Sequence, residues 1–151
     1  MDRQLNTTDL DKKLSKVNGF LGAFAYDEIP AKPADGFSLV VNDDPSTQPG
    51  SHWIAVIFKD EKIFFMDSYG RSYKDPMFPK QFRDTMKHLF GSSKVICNTR
   101  MTQTLFGNTC GEYAAYFICE MGKKSFKNVM NVFTENLKNN DKFVFEYFKR
   151  I

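Results

Sequence analysis

No apolar run in this chain of 151 residues approaches the stretch of about 18 that a membrane span requires, so no membrane association is expected. The opening, Met1-Asp2-Arg3-Gln4-Leu5-Asn6, lacks the basic and then apolar order of a signal peptide, and the expectation is a chain not secreted by that route. Cysteine is scarce. The 3 present (Cys97, Cys110 and Cys119) are odd in number and lack metal-site spacing, which argues against a disulfide framework and a structural zinc and fits a reducing compartment. Histidine is scarcer still, with 2. One-sided charge is also missing: 21 Lys and Arg against 18 Asp and Glu give a net +3 with no long block of like charges, so DNA binding is expected to be weak at most.

What is present suits one globular domain spanning residues 1–151. Hydrophobic residues at 42% and charged residues at 26% are ordinary usage, which excludes disorder and fibrous repeats, and the length excludes a two-domain enzyme. With 16 Phe, the core is expected to be built from large flat rings.

Leu10, Leu14 and Val17 predict a helix over residues 8–18, capped by Thr7 or Thr8 and ended near Gly19, followed by a loop rich in Pro and Gly. Strands are expected at Phe37–Asn42, His52–Phe58 and Lys62–Asp67, the last two forming a hairpin through Lys59-Asp60-Glu61. Asp43–Gly50 reads as a loop, Pro79–Phe90 as a helix stopped at Gly91, and Lys94–Thr99 as a strand. Cys110–Met121 is apolar around much of its circumference, as a buried helix requires. Ser125–Leu137 and Asp141–Arg150 read as two more helices, and the class is α+β.

Cys110 follows small polar residues and opens the buried helix, where unpaired N–H groups and the helix dipole favour a thiolate; Cys97 and Cys119 read as space-filling. Of the histidines, His88 lies in the last turn of a helix and reads as solvent-facing, whereas His52 opens a strand directly after a loop, where scaffolds present reactive groups. Asp67 ends the neighbouring strand, close enough to orient the His52 ring. Gln103 precedes the cysteine in Gln-x6-Cys-Gly, from where its amide can curl back toward charge developing beside the sulfur.

The order His, Asp, Gln, Cys, with His52-Trp53, with Asp67-Ser68-Tyr69-Gly70 and with Gln-x6-Cys-Gly opening a buried helix, resembles the adenovirus endoprotease group of cysteine proteases (adenain-like, clan CE), whose relatives occur in virophages and Maverick or Polinton-type elements. The resemblance runs from Phe20-Leu21-Gly22-Ala23-Phe24 and Tyr26-Asp27 to about Met121. It implies an adenain/Ulp1-like fold, a central mixed sheet against a buried helix that carries the nucleophile, with flanking helices. It also implies a viral maturation endopeptidase that cuts capsid precursors at Gly or small residues, acting in the virion and in the cytoplasm or viral factory of the infected cell. No cofactor is required for that chemistry, and an activating peptide or DNA is a candidate effector. Trp53 is expected to wall a narrow cleft, with Gly50 and Ser51 as further candidate substrate contacts.

The acid here is Asp where adenoviral enzymes carry Glu, and Cys97 lies nearer the nucleophile than the adenoviral cysteine that binds an activating peptide, which argues against that use of Cys97. A SUMO-protease type of isopeptidase shares the chemistry but usually has a longer domain. An inactive DNA- or capsid-binding module, with Lys123-Lys124, Lys127 and Lys149-Arg150 as its basic segments, leaves the His52, Asp67, Gln103 and Cys110 set without a purpose.

Overall fold

A computed structural model describes residues 3–151. Five strands make one mixed sheet in the order β1-β2-β3-β4-β5: β1 (Phe20–Ala25), β2 (Ser38–Asn42), β3 (Trp53–Lys59), β4 (Lys62–Met66) and β5 (Val95–Cys97). The outer pairs β1/β2 and β4/β5 are parallel and the two inner pairs antiparallel. Asp60 and Glu61 both take positive φ, the conformation a two-residue hairpin needs, so β3 and β4 join as expected.

The sheet is buried on both faces because its strands alternate between two apolar clusters. Val40, Ala55, Ile57, Phe64 and Met66 join α1 (Thr7–Leu14), α3 (Cys110–Met121) and α5 (Leu137–Arg150) on one side. Leu39, Val41, Ile54, Val56, Ile63 and Phe65 meet Phe82, Met86, Leu89 and Phe90 of α2 (Lys80–Phe90) on the other. All twelve residues of α3 are buried, so it is the central helix. The class is α+β, with helices on both sides of a mixed sheet.

Four expectations need correction. Residues 20–25 are not loop but β1, and Gly22 at φ +142 with a register shift between Phe20 and Ala23 explains why no clean alternation marks it. The first helix is capped by Asn6, not Thr7 or Thr8, through a box with Asp9, and ends at Leu14, with Val17 packing against the core from beyond its end. The expected Ser125–Leu137 helix stops at Met130: α4 (Phe126–Met130) is short, and Asn136 caps α5, whose start lies four residues before the expected Asp141. The last strand is only Val95–Cys97.

This layout brings the candidate site residues together. Because β3 and β4 are antiparallel, the start of β3 and the end of β4 lie at the same end of the sheet, and the N-terminus of α3 packs over that end.

Candidate active site

His52 immediately precedes β3 and Asp67 immediately follows β4, and His52 Nε2 lies 2.5 Å from Asp67 Oδ1, both residues buried. That leaves Nδ1 for the thiol of Cys110, itself buried at the first position of α3. Burial opposes the charged imidazole, but the hydrogen bond and charge of Asp67, together with the Cys110 sulfur, outweigh it and push His52 up to about 9. His52 is therefore a cation at neutral pH.

Burial likewise works against an ionised Asp67, yet its contacts with His52 and Arg71 hold the carboxyl below the usual carboxylate range. Asp67 accepts from Arg71 Nε at 2.7 Å and from the backbone N–H groups of Tyr69 and Arg71 at 3.2 Å. Asn98 closes the other side: it accepts from the Asp67 N–H at 2.9 Å and donates to its carbonyl at 2.6 Å. The Tyr69 ring stacks on His52 with centroids 4.9 Å apart. The acid is thus fixed before it is asked to orient anything.

Thr109, the residue before α3, makes no side-chain capping bond, so its hydroxyl does not compete for the N–H groups that open the helix. These are donors available to an anion at Cys110. Gln103 is not solvated but completely buried: its Oε1 accepts from Ser68 Oγ at 2.5 Å and its Nε2 donates to the Gly107 carbonyl at 3.1 Å, with a second amide proton to spare. The loop carrying it is held by Ser68, whose carbonyl accepts from Thr102, and by α5, where Asp141 accepts from Thr104 Oγ1 and Tyr113 Oη at 2.7 Å each.

Trp53 does not face an open cleft. It is buried, and its indole N–H donates to the Leu5 carbonyl at 2.7 Å, so any walling is done by what it holds. Gly50 and Ser51 precede His52: Ser51 is exposed, with its N–H on Asn42 Oδ1 and its hydroxyl on Asp43, and Gly50 turns at φ +94 where a Cβ would crowd the Asn42 amide. His88 is exposed, as expected, and Cys97 and Cys119 have thiols pushed up by burial. Among the described residues no cluster of three or more His, Cys, Asp or Glu is arranged to hold a metal ion.

Sequence reasoning missed Arg71, Ser68, Asn98 and Gln4. Arg71 stood in plain view four residues after Asp67, the spacing of one turn, but Asn98 and Gln4 arrive from distant segments with no local signal.

The chain is 26% identical to a protein of Acanthamoeba polyphaga mimivirus named as a thiol protease, over 70% of this chain and 37% of that one. It is 26% identical to the protease of Bovine adenovirus 7, over 90% of this chain and 80% of the relative. A cysteine protease of African swine fever virus is 28% identical over 58% of this chain and 34% of its own length. The chain thus spans little more than a third of the mimivirus and African swine fever virus relatives. The crystal structure of the African swine fever virus protease shares the fold, with a TM-score of 0.60 at 18% identity over 94% of this chain and 66% of that one. No family model matches. The resemblance to viral cysteine proteases read from the motifs is borne out by these relatives.

Proposed function

We propose that this chain is a viral maturation cysteine endopeptidase that hydrolyses virion precursor proteins, capsid precursors among them, beside Gly or another small residue. The observation that carries the reading is the buried His52 held through Nε2 by Asp67, with its other ring nitrogen left for Cys110 at the N-terminus of α3. Cys110 attacks the scissile carbonyl as a thiolate: the S–C bond forms and the carbonyl electron pair moves to oxygen. That oxyanion is received by the Cys110 N–H and the spare amide proton of Gln103. The His52 imidazolium gives its proton to the leaving amine as the C–N bond breaks, then takes one from the water that hydrolyses the thioester. The reaction uses only protein groups, and its place is the virion and the infected cell, with a peptide or DNA as candidate effector.

Co-expression with the major capsid protein of the same genome should yield a size shift that disappears in Cys110→Ala and His52→Ala, with the double variant no worse than either single one, because the pair acts as a unit. An unchanged precursor alongside intact wild-type protein would return the substrate class to the open list, and processing that survives Cys110→Ala would remove the nucleophile.

A further inference from the structure

A short strap, residues 3–6, crosses the N-terminus of α3 and is pinned at each position. Arg3 forms a two-pronged pair with Asp9, at 2.7 and 3.0 Å. The Leu5 carbonyl takes the Trp53 indole N–H at 2.7 Å, and the Leu5 side chain packs against the main core and so closely against Gly111 that a Cβ there would sit 3.0 Å from it. Asn6 caps α1 through the box with Asp9. Between these anchors Gln4, half-buried, brings its side-chain Nε2 to 3.8 Å from Cys110 Sγ.

We infer that the strap is a fixed wall of the active site and that Gln4 sets the space a substrate side chain has beside the nucleophile. The number of anchors separates a wall from a lid. Displacing the strap would break a bidentate ion pair, a hydrogen bond to a buried indole and a helix cap, and would bare Leu5, all at once. A substrate must therefore fit against Gln4 rather than push it aside. The carboxamide presents both a donor and an acceptor, the complement of a peptide unit, so an extended backbone can bond to it while a bulky side chain at the same place meets its atoms. The arrangement also gives two sequence features a reason: Gly111 leaves room for Leu5, and Trp53 rather than another aromatic supplies the N–H that holds it.

This inference rests on Cys110 being the nucleophile, and the test separates the two claims without a known substrate. Two probes share one warhead and differ in bulk: iodoacetamide and its fluorescein-bearing derivative. In the parent, iodoacetamide should label Cys110 faster than Cys97 or Cys119; if it does not, the nucleophile assignment fails and this inference with it. Gln4→Ala should raise the ratio of the bulky probe's rate to that of iodoacetamide about tenfold, whatever loss of the Nε2 donor does to both, since a few atoms in a fitted pocket are worth that much discrimination. Trp53→Phe keeps the ring, removes the N–H that pins Leu5, and should shift the ratio the same way. An unchanged ratio in either variant, or equal acceleration of both probes, overturns the wall.

Discussion

The two faces of the sheet are built on different terms. The α2 side is a nest of rings: Phe65 lies within 6.3 Å, centroid to centroid, of Tyr73, Phe78, Phe82 and Phe90. The α3 side buries a comparable apolar cluster but also Cys110, Glu112, Glu120 and Asp141. Buried polar groups cost folding energy unless they are fully bonded, so the layer that carries the candidate nucleophile bears a cost that the ring cluster on the α2 side does not share in its helix. Stability and reactivity are thereby separable by face, and each prediction below tests whether they are.

The largest effect should come from the side with no chemistry. Phe82→Ala removes a fully buried ring that contacts Phe65, Phe78 and Tyr26, and should cost about 3 to 5 kcal/mol of stability in a denaturant titration. In native buffer the folded fraction should still alkylate Cys110 at the parent rate. A large change in that rate would mean that the two faces are coupled through the sheet, and the comparison would fail.

Gln103 lies on the other side of the divide, and a carboxylate there is more informative than a truncation. Gln103→Ala should lower single-turnover cleavage by about 10² to 10³, the usual cost of losing one oxyanion donor. It also leaves Ser68 Oγ without its acceptor in a closed interior, which adds a stability loss of about 1 to 3 kcal/mol. Gln103→Glu restores the acceptor for Ser68 but turns a carboxylate oxygen toward the Gly107 carbonyl that Nε2 now bonds, so the stability loss should persist along with the turnover loss. Recovery of both together would make Gln103 a loop brace only.

How much of this was legible beforehand follows from the range of the interactions. The strands β2, β3 and β4, the hairpin, and helices α2 and α3 were readable because each carries its own period and its own stop, as Gly91 and Gly122 do. β1 was missed because an edge strand broken by Gly22 satisfies no local pattern and is defined by its parallel partner. In the candidate site, His52, Asp67, Gln103 and Cys110 could be singled out, since each stands where an element begins or ends or in a motif of fixed spacing. What holds them could not: Asn98 reaches Asp67 across 31 residues and Gln4 reaches Cys110 across 106, and neither separation leaves a mark on local composition. Gln103 illustrates both halves, since its role was proposed from its spacing while its burial beneath Ser68 depended on tertiary packing.

The smallest expected effect concerns Glu112, which sits in the first turn of α3, almost wholly buried, with Oε1 lacking a hydrogen-bond partner among the described residues. Burial pushes its carboxyl up to about 7 from an ordinary 4.5. Its folded-state value thus lies above its unfolded one, so the contribution of the neutral carboxyl to stability is complete below 4.5 and is lost as pH rises through about 7. Glu112→Gln keeps the shape and cannot ionise. The variant should match the parent in urea unfolding near pH 4.5 and be more stable by about 1 to 3 kcal/mol at pH 8, where only the parent must bury a charge. His52 titrates in both proteins and is raised to about 9, so its contribution cancels in the difference at pH 8. An equal gain at both pH values would point to packing rather than ionisation. No gain at pH 8 would mean that Glu112 finds a partner for its charge, and the α3 face would then bear less of the polar cost than the comparison of the two faces assigns to it.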